Sequence, residues 1–380
     1  MSPVQPSSVL LERTAPTEAP ARETGRRLGV AVVGCGYWGP NLIRNFSTSP
    51  ATEVVTLCDL SPETLARAGR LCPSARPESD FRAVLSDPAV EAVAIATPVM
   101  THAPLAAAAL RAGKHVLIEK PMALSTREAE ELVGLAERHG LTLMVDHTFI
   151  HSPAIRKIKD LLDAGEFGEI FYVDSVRINL GIFQNDVNVV WDLAPHDLSI
   201  VDHLLGRLPR CVTATGASHT RSGLEDVAYL SLDFGDGLLA TFHVNWLSPV
   251  KVRHLIIGGS KKSLVYNDLD PSEPIKIYDR GITLTEQPEE RRGVLIGYRT
   301  GDVWSPRLER EEPLQNVVAH FAASIRDGTP PLTDGHAGLL GLILGGAGPF
   351  SIDRLLGERV TPRAGPPAPA CPAPGGRPGP

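Results

Sequence analysis

The chain has 380 residues, and its 43% hydrophobic and 21% charged content is typical of a folded globular protein, which excludes a mainly disordered chain. Its 37 basic and 44 acidic residues give a formal charge of −7, and this acidic balance argues against a dedicated nucleic-acid-binding protein. Its apolar runs fall short of the roughly 18 residues that a membrane span needs, so no membrane association is predicted.

The two ends of the chain have compositions that favour disorder. Residues 1–27 mix Pro, Ser, Thr and charged residues without a period, and the final residues are almost only Pro, Gly, Ala and Arg. Such segments cannot bury enough apolar surface to offset the entropy that ordering costs. We therefore predict a disordered arm over 1–27 and a disordered tail over 357–380.

The stretch after the arm alternates strand and helix signals. Its first run, LGVAVV at 28–33, is continuous and rich in β-branched residues, as a strand buried on both faces requires. Further strands are predicted over 53–58, 92–96, 115–118 and 141–145, with helices that begin near 40, 61, 104 and 125. This β-α-β-α order predicts a parallel, doubly wound sheet in a first domain over 28–146.

The pattern changes near residue 147. A helix predicted over 155–163 precedes EIFYVDSVRI at 169–178, whose two-residue alternation is typical of a half-buried antiparallel strand. Further strands are predicted over 228–234, 238–245, 252–257 and 263–266, and helices over 315–326 and 335–356. The chain is therefore predicted to be an α/β protein whose second, α+β domain over 147–356 carries a mainly antiparallel, open sheet for substrate binding and oligomerisation.

A glycine-rich motif lies directly after the first strand. Gly34 permits a tight turn, Gly36 lets the backbone approach a pyrophosphate, and Gly39 lets helix and strand pack closely. Asp59 closes the second strand 20 residues after Gly39, where an acidic residue binds the adenosine ribose hydroxyls. The motif predicts a Rossmann domain that binds a dinucleotide, although a plain glycine turn beside a surface aspartate is the alternative. NAD is favoured over NADP, because no Arg or Lys directly follows Asp59.

Four groups of residues together resemble one family of oxidoreductases. They are VGCGYWG at 33–39, Ala96-Thr97-Pro98 with His102, Glu119-Lys120-Pro121, and Asp192 with His196. In this combination the chain resembles the glucose-fructose oxidoreductase, inositol dehydrogenase and rhizopine catabolism family (Gfo/Idh/MocA) from about residue 28 to residue 356.

Longer phrases resemble one branch of that family. They are GCGYWGPNLIRNF, DHTF and RINLGIFQNDVNVVWDLAPHDLSIVDHLLG. The branch contains dehydrogenases that act at C3 of UDP-N-acetylglucosamine, its uronate and UDP-glucose. The same phrases also resemble oxidoreductases of actinobacterial pathways for aminohydroxybenzoate and deoxysugars.

The resemblance implies a site that moves a hydride between a sugar CH–OH group and NAD. His196 is the candidate acid/base, since an imidazole with a pKa near ~6.5 suits proton transfer near neutrality. Asp192, one helical turn earlier, is expected to orient the imidazole and stabilise its protonated form. Pro195 is tolerated only in a first helical turn, which places Asp192 near the start of the helix. The alternative is that Asp192 is an N-cap and His196 a satisfied polar residue.

Lys120 follows the strand over 115–118, at the carboxyl edge where open α/β sheets bind ligands. Its ammonium can hydrogen-bond the reacting oxygen and stabilise developing negative charge there. The resemblance implies that Lys120 contacts both substrate and nicotinamide, and that a cis bond precedes Pro121. A solvated surface lysine is the alternative.

Other residues are candidates for the cofactor site. Tyr37 and Trp38, inside the glycine loop, either stack on the cofactor or pack against the protein. The resemblance implies that Thr97, Pro98 and His102 line the nicotinamide ribose, and it places Glu119 of the Glu-Lys-Pro group at the cofactor as well. A polar loop with a helix cap is the alternative for residues 97–102.

A second set of polar residues lies near the predicted boundary between the domains and could bind sugar hydroxyls or a pyrophosphate. The set consists of His147, Arg177, Asn179, Gln184 and Asn188, beside His196. Arg177 is the best partner for an anion, because a guanidinium binds phosphate through two parallel hydrogen bonds. A solvated strand face is an equally good interpretation of these residues.

Together these features predict a two-domain, NAD-dependent oxidoreductase acting on a secondary alcohol or ketone of a sugar, with C3 of a UDP-sugar preferred. An inositol or free-sugar dehydrogenase, an NAD-dependent glycosidase on the same scaffold, and a non-catalytic NAD-sensing protein are the alternatives. No metal site is predicted, and His196 and His203 are interpreted as polar residues of one helix.

The predicted partners are small molecules and further copies of the chain. A sheet that is open on one face favours a homodimer or homotetramer, and neither nucleic acid nor membrane is expected as a partner. The five cysteines show no paired spacing, and the start of the chain lacks a secretory signal. Both observations favour a cytoplasmic protein.

Overall fold

The computed structural model describes residues 26–181, 187–220, 223–283 and 297–338. They form a sheet of six strands and a sheet of eight strands, each packed against helices. The strands of the first sheet are β1 Leu28–Val33, β2 Thr52–Cys58, β3 Arg76–Glu78, β4 Ala92–Ile95, β5 His115–Glu119 and β6 Leu143–Asp146. The helices between them are α1 Gly39–Thr48, α2 Pro62–Leu71, α3 Phe81–Ser86, α4 His102–Arg111 and α5 Thr126–His139.

The first sheet is parallel throughout and has the strand order β3-β2-β1-β4-β5-β6. The prediction of a doubly wound parallel sheet is therefore confirmed. The order reverses between β1 and β4, so the crevice for a ligand opens at the carboxyl ends of these strands. The sequence analysis did not predict β3 and α3, whose three and six residues are too short to show a period.

The second sheet follows α6 Pro153–Asp163 in the chain. Its strands are β7 Ile170–Leu180, β8 Cys211–Ala217, β9 Val227–Gly235, β10 Leu238–Asn245, β11 Leu247–Gly259, β12 Ser263–Asn267, β13 Ile275–Thr283 and β14 Gly297–Trp304. Helices α7 Val189–Leu205 and α8 Pro313–Asp327 complete the described fold.

The strands of the second sheet have the order β14-β13-β12-β11-β7-β10-β9-β8. β7 and β10 are parallel and the other pairs are antiparallel, which confirms the prediction of a mainly antiparallel sheet. The sequence analysis missed β8, β13 and β14. These strands lie at or next to the edges of the sheet, where less apolar surface is buried and the alternation is weaker.

The inner face of the second sheet forms a core with α6 and α7. Ile155 and Ile158 of α6 and Leu198 of α7 pack against inward residues of the strands such as Phe242 and Leu255. On the outer face of the sheet, the side chains of Tyr172, Tyr229 and Leu239 are exposed to solvent. The sheet is thus covered by helices on one face in the part of the chain that is described.

Helix α7 departs from the expectation in one respect. The sequence analysis placed Pro195 in a first helical turn, but α7 begins at Val189, so Pro195 is its seventh residue. Asn188 is the N-cap, and its side chain accepts a hydrogen bond from the backbone N–H of Trp191. Asp192 lies in the first turn, as expected. Pro195 has no backbone N–H, so it cannot donate the hydrogen bond that an interior helix position normally supplies, yet the helix continues through it to Leu205.

Helix α8 crosses back to the first sheet. Its buried residues Val317 and Phe321 pack on the same face as α1 and α2, and the Phe321 ring meets the ring of Phe46 edge to face at 6.4 Å. Thr333 then binds the main chain of Val145 on the edge strand β6. The backbone N–H of Val145 donates to the carbonyl oxygen of Thr333 at 2.8 Å, and the Thr333 hydroxyl donates to the carbonyl oxygen of Val145 at 2.7 Å. Late segments of the chain therefore complete the core and cover the edge of the first sheet.

Two sequence expectations extend beyond the described residues. The helix predicted over 335–356 begins with helical residues 335–338, and the remainder lies outside the described part. The predicted arm and tail lie outside it almost entirely. Among the helices that the structure describes, every one falls short of the length and apolarity that a bilayer crossing requires.

Phe321→Ala tests the packing of α8 on the first sheet. Because the substitution removes a fully buried ring, we expect the free energy of unfolding to fall by about 3–5 kcal/mol. Urea unfolding followed by circular dichroism measures this change. Leu71→Ala, at an exposed position at the end of α2, is the control, with an expected change within about 0.5 kcal/mol. Equal losses in both variants would contradict the packing described for α8.

Candidate active site

The glycine loop connects β1 to α1 and has the geometry that a dinucleotide needs. Gly34 has φ +88°, and a Cβ atom there would lie 2.6 Å from the backbone of Ala96. A Cβ on Gly39 would lie 2.3 Å from the carbonyl oxygen of Gly34. Gly36 has no atom within 4 Å of its Cβ position, so open space lies over this part of the loop. Two of the glycines thus permit close packing, and Gly36 leaves room for a phosphate.

Asp59 fastens the glycine loop to the end of β2. Its carboxylate accepts hydrogen bonds from the backbone N–H groups of Cys35, at 2.8 Å, and Ser61, at 2.9 Å. Helix α1 has no side-chain cap, and the positive end of its dipole lies at the glycine loop, which favours an anion there. Tyr37 is 92% exposed and Trp38 lies partly exposed beside it, so both aromatic rings border the loop on the solvent side. These features fit a dinucleotide whose pyrophosphate lies over Gly36.

The loop after β4 is clamped to the loop after β5 by one histidine. His102 is buried, and its two ring nitrogens lie 2.8 Å from the carbonyl oxygens of Thr97 and Pro121. Burial lowers the pKa of His102. The Lys120–Pro121 bond is cis. Thr97 and Pro98 therefore border the crevice, whereas both ring nitrogens of His102 are engaged in holding its wall.

Lys120 and Asp192 meet across the crevice. The Lys120 ammonium donates a hydrogen bond to the backbone oxygen of Asp192 at 3.0 Å, and lies 3.6 Å from the Asp192 carboxylate. The other carboxylate oxygen of Asp192 accepts a hydrogen bond from the indole N–H of Trp246 at 3.1 Å. The sequence analysis paired Asp192 with His196. The structure instead places Lys120 and Trp246 against Asp192, because the first turn of α7 lies beside the loop after β5.

His196 lies in the interior of the site. Its ring meets the Phe149 ring edge to face at 5.0 Å, and its Nδ1 is buried without a hydrogen-bond partner among the described residues. Burial lowers the pKa of His196 well below its ordinary value, and the positive charges of Lys120 and Arg177 lower it further. The imidazole is therefore neutral near pH 7 and able to accept a proton.

His147 follows β6 and reaches the same interior. It is buried, and neither of its ring nitrogens has a hydrogen-bond partner in the described part of the chain. Burial, with the charge of Lys120, lowers the pKa of His147 to about 4. A second neutral imidazole is thus available to bind a polar group of a ligand.

Glu119 and Asp146 are register partners at the ends of β5 and β6. Burial raises the pKa of Glu119 well above its ordinary value, and the neighbouring Asp146 raises it further. Burial likewise raises the pKa of Asp146. Trp38 of the glycine loop and Thr148 stabilise the charged form of Asp146, which links this pair to the cofactor loop.

Arg177 is engaged by a partner of its own. It is buried on β7, and its guanidinium donates two hydrogen bonds of 2.8 Å to the Asp197 carboxylate. The guanidinium also lies 4.7 Å from the centre of the Phe149 ring. The sequence analysis named Arg177 as the best anion partner, whereas the structure shows its charge balanced by Asp197 and its side chain supporting the ring that packs on His196.

The remaining predicted substrate residues differ in their positions. Asn179, two residues after Arg177 on the same face of β7, is partly exposed toward the crevice. Asn188 is buried, caps α7 and donates a hydrogen bond to Glu225 at 3.1 Å, so it stabilises the helix start. Gln184 lies outside the described residues.

Sequence reasoning missed Phe149, Asp197 and Trp246. Phe149 is part of the DHTF phrase and Asp197 directly follows His196, so both stood beside quoted residues. Trp246 carries no signal in the sequence, because it meets Asp192 only through the fold. Within residues 26–181, 187–220, 223–283 and 297–338, no group of three or more His, Cys, Asp or Glu side chains is placed to hold a metal ion.

A Rossmann sheet whose ligand crevice meets a helix of a second, antiparallel sheet defines a two-domain, nicotinamide-dependent dehydrogenase. Residues 28–147 match the oxidoreductase family with an NAD-binding Rossmann fold, GFO_IDH_MocA, and residues 155–265 match the GFO/IDH/MocA C-terminal domain. The chain therefore belongs to the Gfo/Idh/MocA family, as the sequence predicted, and its cofactor is NAD.

Proteins similar to this chain include dehydrogenases named for a sugar, for inositol and for a nucleotide sugar. D-apiose dehydrogenase of Paraburkholderia graminis is 28% identical over 339 residues, covering 84% of this chain and 86% of that protein. Inositol 2-dehydrogenase 2 of Saccharopolyspora erythraea is 33% identical over 227 residues, covering 57% and 66%. The solved UDP-N-acetylglucosamine 3-dehydrogenase GnnA of Acidithiobacillus ferrooxidans is 26% identical, with a TM-score of 0.68 over 83% of this chain and 95% of that chain. The family match makes this chain an NAD-binding oxidoreductase.

Gly36→Ala tests the space over the glycine loop. The added methyl group meets no protein atom, so the thermal unfolding temperature without cofactor should not change. The methyl group would occupy the place of the pyrophosphate, and we expect NADH to bind at least about 10-fold more weakly. Titration of NADH fluorescence measures the affinity. Gly69→Ala, also in open space but on α2, is the matched control and should bind NADH normally. Unchanged affinity in Gly36→Ala would move the pyrophosphate away from this loop.

Proposed function

We propose that this enzyme interconverts a secondary alcohol and a ketone at C3 of a UDP-activated sugar, with NAD as the redox partner. The observation that carries the proposal is the convergence of Lys120, Asp192 and a neutral His196 at the carboxyl edge of the NAD-binding sheet. A sensor that only binds NAD has no need for a base and a cation at this edge. When bound, NAD accepts the hydride from the carbinol carbon.

His196 acts as the acid/base in this proposal. The reacting hydroxyl must lose a proton as its carbon is oxidised, and a neutral imidazole in a water-poor site can take it. The Nδ1 atom is buried, but the His196 side chain as a whole is only partly buried, so a substrate hydroxyl can approach the ring. Phe149 holds the ring in place through its edge-to-face contact at 5.0 Å. In the reverse direction, the imidazolium returns the proton to the ketone oxygen.

Lys120 stabilises the oxygen that loses the proton. Its ammonium has three N–H groups, of which one is given to the Asp192 backbone oxygen at 3.0 Å. A remaining N–H can hydrogen-bond the substrate oxygen and offset the negative charge that develops on it. Asp192 holds the ammonium at the crevice, and its carboxylate can accept a hydrogen bond from a neighbouring substrate hydroxyl.

The nucleotide part of the substrate rests on likeness in sequence and structure. The branch phrases of the sequence and the similarity to UDP-N-acetylglucosamine 3-dehydrogenase support a UDP-sugar. A free sugar or inositol is the second candidate, and one observation favours it. The charge of Arg177 is already balanced by Asp197, so that residue does not provide an open site for a pyrophosphate.

A panel of substrates tests the proposed reaction. Purified enzyme with NAD is given UDP-glucose, UDP-N-acetylglucosamine, its uronate, D-apiose and myo-inositol, and the NADH absorbance band is followed. We expect NADH with one UDP-sugar, and a loss of at least about 100-fold in kcat for Lys120→Met and His196→Asn. If alcohols give no signal, the corresponding 3-keto sugars with NADH test the reverse direction.

Matched controls use residues of the same type on the surface. Lys251→Met and His139→Asn remove an exposed lysine and an exposed histidine, and both should retain full activity. Activity with D-apiose or myo-inositol alone would refute the UDP-sugar and keep the dehydrogenase. Release of free sugar from a glycoside without net NADH would favour the glycosidase alternative.

We also propose that the enzyme is a cytoplasmic homodimer or homotetramer, assembled through the outer face of the second sheet. Support comes from the large side chains that this face leaves exposed in the described residues: Tyr172 on β7, Tyr229 on β9 and Leu239 on β10. Tyr229 also stacks on His243 at 4.3 Å, which makes a flat apolar surface suited to a second copy.

Light scattering coupled to size-exclusion chromatography tests the assembly. Wild-type protein should have two or four times the 40.7 kDa mass of one chain. Tyr229→Glu with Leu239→Lys puts unpaired charges into the proposed interface and should give monomers, because burying such charges is costly. Ala66→Glu, at an exposed position of α2 in the first domain, should keep the assembly. A monomeric wild-type protein would refute the proposal.

A further inference from the structure

Trp246 is the residue that joins the second sheet to the reacting groups. It lies between β10 and β11, is 2% exposed, and donates its indole N–H to the Asp192 carboxylate at 3.1 Å. We infer that Trp246 is a positioning residue for the proposed reaction, holding the Asp192 carboxylate away from Lys120 so that the ammonium stays available to substrate. This inference rests on the proposed function and deepens it.

The geometry at Lys120 shows what this hydrogen bond does. The ammonium lies 3.0 Å from the backbone oxygen of Asp192 and 3.6 Å from its carboxylate, so the two charges form a long ion pair rather than a close one. Opposite charges in a poorly hydrated crevice attract strongly. An indole donor on the far carboxylate oxygen opposes that closure by giving the carboxylate a second partner. The side chains of Lys120 and Asp192 are 19% and 23% exposed, so both remain reachable by a substrate hydroxyl.

Trp246 is itself held firmly enough for this task. Its backbone N–H donates to the carbonyl oxygen of Asp226 at 2.9 Å, and its carbonyl oxygen accepts from the N–H of Gly181 at 3.2 Å. Asp226 is fully buried, and its carboxylate accepts hydrogen bonds from the backbone N–H groups of His219 and Thr220 at 2.7 and 2.9 Å. The main chain at Trp246 is thus anchored on two sides, which fixes the position from which the indole extends toward Asp192.

Gly181 closes the remaining space around the indole. A Cβ atom at Gly181 would lie 3.4 Å from the indole Cδ1 and 2.6 Å from the side-chain nitrogen of Asn179. The end of β7 therefore packs directly against the ring. Trp246 touches both the Asp192 carboxylate and the strand end that carries Asn179, so the two are held in a constant relative position.

The competing interpretation is that Trp246 only fills the core. Trp246→Phe separates the two, because it keeps an aromatic ring in the buried position and removes only the N–H donor. We expect kcat to fall about 10- to 100-fold, the range for loss of a hydrogen bond to a charged group. The affinity for NADH should stay within about twofold, because Asp192 and Trp246 lie outside the glycine loop. Phe167→Leu, which weakens the same core away from Asp192, should retain kcat.

A double-mutant cycle with Asp192→Ala gives the decisive readout. If Trp246 acts through the Asp192 carboxylate, then Trp246→Phe should have no further effect on kcat once that carboxylate is absent. A purely structural tryptophan would lower kcat by the same factor in both backgrounds. That additive outcome would overturn the inference.

A spectroscopic test needs no activity. The chain has four tryptophans, so selective ¹⁵N labelling of tryptophan gives four indole N–H signals, and Trp246→Phe identifies one of them by its loss. In Asp192→Ala, we expect that proton signal to move upfield, because its charged acceptor is gone, whereas in Phe167→Leu it should stay. An unmoved signal in Asp192→Ala would refute the contact. A moved signal in an enzyme that turns over none of the panel substrates would instead refute the proposed reaction and leave the contact intact.

Discussion

The crevice depends on the contact between Lys120 and Asp192, because this contact joins the end of a strand of the first sheet to a helix that packs on the second sheet. Lys120 comes from the carboxyl end of β5, and Asp192 from the first turn of a helix that packs on the other sheet. Burying either side chain without the other would cost free energy, since the charge would be unpaired. Pairing them makes a half-buried cation tolerable at the place where a ligand of the first sheet binds.

This arrangement of charges sets the protonation of the site. The cation at Lys120 lowers the pKa of His147 and of His196, in addition to the larger effect of burial. Burial and fixed positive charge thus keep the two imidazoles neutral, while burial raises the pKa of the Glu119 and Asp146 carboxyl groups. The ion pair of Arg177 with Asp197 adds a further buried cation on the inner face of the second sheet. The interior therefore combines neutral imidazoles with buried cations at the place where a ligand of the first sheet binds.

The local signals of the sequence predicted the first sheet well, because its buried strands are continuous apolar runs and its glycine loop needs particular residues at Gly34 and Gly39. The antiparallel character of the second sheet also followed from the alternation in β7. Contacts between distant segments of the chain could not be predicted from local patterns. The spacing of Asp192 and His196 on one helix suggested a pair, but the partners of Asp192 come from residues 72 and 54 positions away. Arg177 shows the same limit, since its partner Asp197 is visible only when β7 and α7 are packed together.

The return of α8 to the first sheet has a consequence for synthesis of the protein on the ribosome. Strands β1 to β6 are complete once residue 146 has emerged, yet the face that carries Phe46 is covered only when Phe321 arrives. Until then the nascent first domain exposes an apolar face that a finished Rossmann domain would bury. We therefore expect the core of the first domain to stay incomplete until α8 has been synthesised. During that time the exposed apolar face favours aggregation or binding by a chaperone.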